Sequence, residues 1–167
     1  MPPACAMTGQ QDRLGGPGAY ALVIRLETMV AERIGALGAK VLMPGTYVYL
    51  GSARGKGGME ARVRRHLRRD KRMHWHIDYL SGVGMVTDIA LWPGGCECAL
   101  VDHLSAGPGV TVPAPGFGSS DCRHCTAHLL AASAPEAIRD RLTTLPGVRF
   151  YSAASFAPSA ATDPAIV

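Results

Sequence analysis

No stretch of the 167-residue chain strings together the roughly 18 apolar residues of a membrane span, so no transmembrane helix is expected. The first residues, MPPACAMTGQQDR, lack a charged segment followed by a long apolar one. They do not read as a secretory signal, and a cytoplasmic protein is the expectation. Five cysteines, an odd number unevenly placed, argue against an extracellular disulfide framework and leave reduced thiols or a metal site. No Gly-Lys-Ser/Thr follows the glycines at 55–58, which excludes a P-loop, and no Rossmann fingerprint or internal repeat is present.

Acids are scarce in one place. Between Ser52 and His76, nine Lys or Arg residues face only Glu60 and Asp70, a local balance of +7. The remaining eight bases and eleven acids give −3, so all of the chain's +4 excess sits in that segment. A patch of this kind is the footprint of a polyanion partner, usually nucleic acid. A solvated helix face is the alternative, although such faces usually interleave acids at i,i+4 spacing.

Residues 1–16 and 152–167 are rich in small residues and proline and read as disordered tails, leaving one domain over 17–151. Within it, 20-YALVIRLE-27 and 45-GTYVYLGSA-53 read as strands, joined by a turn-rich connection with a short pairing segment around 30–34. In the second strand Tyr47 and Tyr49 share one face, Val48 and Leu50 the other. Met59, Val63 and Leu67 recur every fourth residue, which predicts a helix over 59–70 with one apolar stripe and a cationic remainder. The segment 74-HWHIDYL-80 suits either a helix or a strand entry. A strand at 85–93, a helix at 96–106, a strand at 126–132, a helix from a Ser133-Ala-Pro-Glu136 capping box to about Leu145, and a strand at 148–151 complete the pattern. The fold class is α/β: a small, largely antiparallel central sheet flanked by helices.

The helix at 59–70 opens beside three glycines and Lys56, where free N–H groups and the macrodipole favour phosphate. Arg62 and His66, at i,i+4, project from one helix face, with Arg65 and Arg69 as a neighbouring pair. A guanidinium clamps phosphate through two hydrogen bonds, and an imidazole exchanges protons near neutral pH; an exposed helix histidine is the plainer reading of His66. In 74-HWHIDY-79 an H-x-H pair on a strand would put His74 and His76 on one face, against the alternative of a packed Trp75 between two surface histidines. Cys96, Cys98, Cys122, Cys125 and His128 offer enough ligands for tetrahedral zinc, but with one C-x-C and one C-x₂-C they fit small, partly buried thiols as well.

These residues carry a resemblance. A first strand with 18-GAY-20, a second with 49-YLG-51, Arg62 on the following helix and a later Glu97 resemble the GIY-YIG nuclease superfamily. The subgroup often called Uri-type endonucleases is similar through 45-GTYVYLGSA-53, RHLRRDKRMHWHIDYL at 65–80, Glu97-Cys98 and 116-GFGSSDCRHC-125, a likeness spanning about 18–130. Ala19 stands where the first motif has Ile, and 28 residues separate Tyr20 from Tyr49, a long gap that the subgroup tends to share. Tyr47 lies close enough to Tyr49 to be mistaken for the first-motif tyrosine.

The resemblance implies a metal-dependent endonuclease cutting DNA. Glu97 would hold Mg²⁺ or Mn²⁺, Arg62 the scissile phosphate, and Tyr20 or Tyr49 would orient or deprotonate the attacking water, with His66 sharing in proton transfer. A phenol acting as base needs its pKa depressed, which the nearby cations are expected to do. Lys56, Arg65, Arg68, Arg69, Lys71, Arg72, His74 and His76 are the expected nucleic-acid contacts, and the loop with Ser119, Ser120 and Asp121 would close over the site. A non-catalytic nucleic-acid-binding module on the same fold and a zinc-stabilised interaction domain are the rival readings. Oligomeric state and strand preference stay open.

Overall fold

The computed structural model describes residues 15–156. In chain order these form β1 (Gly18–Leu26), β2 (Val30–Arg33), β3 (Ala39–Leu42), β4 (Gly45–Ala53), α1 (Gly58–Leu67), α2 (His76–Ser81), β5 (Met85–Pro93), α3 (Glu97–Ser105), β6 (Val110–Thr111), β7 (Leu129–Ala132), α4 (Pro135–Thr143) and β8 (Arg149–Ser152). Six strands make one sheet in the order β6-β7-β4-β1-β5-β8, and every neighbouring pair is antiparallel. The hairpin β2–β3 stands apart from it. The fold is α/β, an antiparallel sheet flanked by helices.

The sequence GAYALVIRL has no charged residue before Arg25, and β1 accordingly lies at the centre, buried on both faces. The two-residue alternation of a strand sorts its side chains. Tyr20, Leu22 and Ile24 pack with Met59 and Val63 of α1 and Ile77 and Leu80 of α2. Ala19, Ala21 and Val23 face the other way, onto Leu100 and Leu104 of α3 and Ile138 and Leu142 of α4.

Three local expectations change and one holds. The HWHIDYL segment is a loop entering a helix, so His74 and His76 do not share a strand face; the Asp78 carboxylate accepts the backbone N–H groups of His74 and Trp75 and so starts the helix. Helix α4 begins at Pro135 behind Ala134, with no side-chain cap, because the Ser133 backbone pairs with the Gly109 carbonyl instead. The pairing segment expected around 30–34 is present as β2, which forms a hairpin with β3 around a short 3-10 turn at Gly35–Leu37. Past Tyr151 regular structure continues through Ser152 and a 3-10 turn at Ala153–Phe156, since Phe156 supplies a large apolar side chain to the core. The rest of the expected tails, 1–14 and 157–167, lies outside the described residues.

Candidate functional site

The site begins with the pairing of β1 and β4. Tyr20 sits opposite Gly51, and Leu22 opposite Tyr49. A Cβ on residue 51 would lie 2.4 Å from both the Cζ and the hydroxyl oxygen of Tyr20, so only glycine lets that ring lie across β4. The Tyr20 and Tyr49 ring centres are 6.4 Å apart. Tyr47 takes no part in the site: its hydroxyl donates to the Met43 carbonyl at 2.6 Å.

Helix α1 lies over this pair. His66 is 1% exposed, and its Nε2 is 2.8 Å from the Tyr20 hydroxyl. On its other side Nδ1 is 3.8 Å from Asp78 Oδ1, an electrostatic contact too long for a hydrogen bond. Asp78, fully buried, also receives two bonds from Arg65, at 2.9 and 3.0 Å. Burial alone would raise the Asp78 pKa, but His66, the Arg65 guanidinium and the two backbone N–H groups outweigh it and hold the carboxyl far below the usual range. Burial lowers the His66 pKa, with Asp78 opposing, so the imidazole is neutral at pH 7. Arg62, one turn earlier, rests 4.3 Å from the centre of the Trp75 ring, and Arg65 lies 4.2 Å from the same centre.

The expectation of depressed tyrosine pKa values does not hold. Burial raises Tyr20 well above 10, with Tyr49 adding to it and Arg62 only partly offsetting it. Burial likewise pushes Tyr49 up to about 12 despite Arg62. Desolvation of two enclosed phenols outweighs one nearby guanidinium, so both stay protonated and serve as hydrogen-bonding groups.

Glu97 reaches the same place from the opposite side of the sheet's end. The chain leaves β5 at Pro93, turns through Gly94 and Gly95 with Gly95 packed against the Trp92 ring, and enters α3 at Glu97. Its Oε2 is buried and has no hydrogen-bond partner. Tyr20, Tyr49, Arg62, His74, His76 and Glu97 all line one cleft of about 850 Å³. Gly118, Ser120 and Asp121 bring the expected loop to its wall, while Ser119 turns its hydroxyl to the Thr126 carbonyl.

The cationic segment divides. Lys56 is exposed and, with Arg62 and Arg65, borders a small cavity of about 140 Å³ next to the cleft. Arg65 is held by Asp78, and Lys71 donates to the His66 and Arg68 carbonyls and to Ser81 Oγ. Arg68 pairs loosely with Asp70 at 3.7 Å, Arg69 reaches the Gly82 carbonyl, and Arg72 is exposed; none of the three lines the cleft. The start of α1 is no open phosphate cradle either: the Met59 N–H donates to the Gly16 carbonyl and the Gly58 N–H to that of Gly55. Backbone from the chain's own N-terminal side fills the position.

Beyond Glu97, Cys98, Cys122, Cys125 and His128 converge, their ligand atoms all within 4.8 Å of one another. Cys98 Sγ and Cys122 Sγ are 3.6 Å apart. Cys96 is buried but outside this group, and His124 instead meets Asp102 at 2.9 Å.

A protein-family model described as Domain of unknown function DUF123 matches residues 19–147. The chain belongs to this family. The matched DUF123 region contains every residue that lines the cleft and the whole Cys/His group. Comparison with curated proteins and with solved structures finds no significant match.

Within the DUF123 region the structure adds residues that the sequence reading left out. Asp78 anchors Arg65 and faces His66, Trp75 supports Arg62, and Arg54 and Arg123 join the cleft wall. For Asp78 a signal existed: a carboxylate three residues after Trp75 is a helix-start pattern. Nothing in the sequence marks Arg123 as sharing a cleft with Arg62, because 60 residues separate them along the chain.

Proposed function

We propose that the chain is a divalent-metal-dependent endonuclease of GIY-YIG, Uri-like type that hydrolyses phosphodiester bonds in DNA. One observation carries the reading: the buried, unpartnered Glu97 oxygen belongs to the same cleft as Tyr20, Tyr49 and Arg62. A buried carboxylate with a free oxygen suits Mg²⁺ or Mn²⁺, which bind through one or two carboxylates and otherwise keep water. When bound, the ion neutralises charge on the phosphate and on the departing oxygen.

The chain's own groups supply the rest. Arg62, braced on Trp75, grips the scissile phosphate with paired N–H bonds. Tyr49, protonated, orients the attacking water. The Tyr20 hydroxyl donates to His66 Nε2; as it takes a proton from the water, it passes its own to the imidazole. Neutral His66 is the form able to accept, and the Asp78 carboxylate near Nδ1 stabilises the resulting imidazolium. Positioned proton transfer of this kind contributes roughly 10² to 10⁴ in rate.

The test is incubation of the full chain with single-stranded, duplex and branched DNA in Mg²⁺ or Mn²⁺, beside Glu97→Ala. Metal-dependent cutting by the wild type alone is expected. If neither protein cuts any substrate, the cleft is a nucleic-acid-binding surface without activity; equal cutting by both removes Glu97 from the metal site.

A further inference from the structure

We propose that Cys98, Cys122, Cys125 and His128 bind a structural zinc ion that ties the start of α3 to the long loop between β6 and β7. This inference does not rest on the nuclease reading. Three independent features carry it: the convergence of four ligand groups, the support around them, and the loop they would fasten.

The four ligand atoms lie within 4.8 Å of one another. Tetrahedral zinc with Zn–S bonds of about 2.3 Å holds its sulfurs about 3.8 Å apart, close to the 3.6 Å between Cys98 and Cys122. A disulfide would bring the same atoms to about 2.05 Å. Three sulfurs and an imidazole favour zinc over hard ions such as Mg²⁺. Four protein ligands make a closed site, which is the structural rather than the catalytic pattern.

The surroundings suit ligation. The backbone N–H groups of His124 and Cys125 both point at Cys122 Sγ, at 3.4 and 3.3 Å, the kind of support that orients a thiolate on a metal. His128 is 6% exposed, and its Nε2 is buried without a hydrogen-bond partner. Competing ligands are committed elsewhere or too far: His124 is paired with Asp102, and Cys96 lies outside the group. On binding, three thiols release their protons to solvent. Three thiolates and a neutral imidazole then surround Zn²⁺, a centre of net charge −1.

The ion would fasten a segment that needs it. From Val112 to His128 the chain runs 17 residues without a helix or strand, long for a loop in a compact domain. Phe117 anchors its inner part in the core, but Cys122 and Cys125 are only half-buried and sit on its outer arm. Linking that arm to Cys98 also fixes the backbone of the adjacent Glu97.

Elemental analysis of the full chain, purified under reducing conditions and supplied with zinc, is expected to give about one zinc per chain. Cys125→Ser and His128→Ala are expected to lose most of it, while Cys96→Ser and Glu97→Ala keep the wild-type amount. Should the ligand variants fail to fold, cobalt substitution of the wild type gives a second readout: tetrahedral Co²⁺ with intense thiolate charge-transfer absorption. Absence of zinc from the wild type, loss of zinc in Glu97→Ala equal to that in Cys125→Ser, cobalt without thiolate bands, or a Cys98–Cys122 disulfide in freshly isolated protein would each overturn the proposal. None of these measurements involves DNA, so their outcome is separate from that of the nuclease test.

Discussion

The Tyr20 hydroxyl lies 2.8 Å from His66 Nε2, joining the central strand of the sheet to the cationic helix through a buried hydrogen bond. In the proposed reaction that bond is the path of the proton. Tyr20→Phe removes the path but keeps the ring, so cleavage should fall by roughly 10² to 10⁴ with DNA affinity little changed. Matched single-turnover and binding measurements check this; equal losses in both would make Tyr20 a packing residue.

The same bond sets a pH dependence. Burial lowers the His66 pKa from 6.5, and the neutral imidazole is the accepting form. Activity should therefore hold through neutral pH and decline only as pH falls through the lowered folded value. Stability follows the same direction, because the unfolded chain binds the His66 proton first. The contribution is complete above about 6.5 and is lost as pH falls from there towards the folded pKa. His66→Gln should flatten the acidic limb of the rate profile, whatever activity remains.

Asp78 and Arg65 form a pair whose carboxylate is fully buried. Asp78→Asn strips the charge from a group bonded by Arg65 and two backbone N–H groups, and should cost about 3–5 kcal/mol in urea unfolding. The Arg68–Asp70 pair is exposed and 3.7 Å long, so Arg68→Ala should change stability by less than about 1 kcal/mol. Similar costs for the two would contradict the burial argument.

How much of this is visible in the sequence depends on the range of the interaction. The central strand, the apolar stripe of α1 and the two-faced pattern of β4 come from periodicities of two and four, which are local. Tyr20, Tyr49, Arg62 and Glu97 could be singled out because short motifs surround them. The division of the cations could not. Arg65 and Lys71 count as positive charge in any tally, yet one is bound to Asp78 and the other to the end of α1, through contacts set by how α2 folds back. Six residues of α2 are too few to declare a period, which is why the histidine pair there read equally well as a strand. Cys98 and Cys96 look alike in the chain; only the start of α3 decides which one meets Cys122.

Gly51 makes room for Tyr20, and its replacement is a sensitive probe of the strand pairing. In Gly51→Ala the new methyl falls 2.4 Å from the Tyr20 hydroxyl, so the ring must move. Overpacking of this kind costs about 1–3 kcal/mol, and displacement of the hydroxyl should lower cleavage further than stability alone explains. Gly55→Ala, which meets nothing within 4 Å, is the control. Thermal unfolding and cleavage rates for the two variants make the comparison.

The salt response of DNA binding should separate the cations. Each phosphate contact on duplex DNA contributes about 0.9 to the slope of log affinity against log salt. Lys56→Ala and Arg123→Ala, at exposed residues beside the cleft, should each reduce the slope by about that amount. Lys71→Ala should leave the slope nearly unchanged, since its ammonium is used within the protein. A slope insensitive to Lys56 and Arg123 would place the DNA elsewhere.

The proposed activity depends on Glu97, and the most direct measurement is the metal-dependent cleavage rate of wild type beside Glu97→Gln, a near-isosteric change that removes the charge. With saturating Mg²⁺ or Mn²⁺ the wild type is expected to cut DNA and Glu97→Gln to lose cleavage by at least about 10²-fold while still binding the substrate. A Glu97→Gln protein that cuts at the wild-type rate would contradict it.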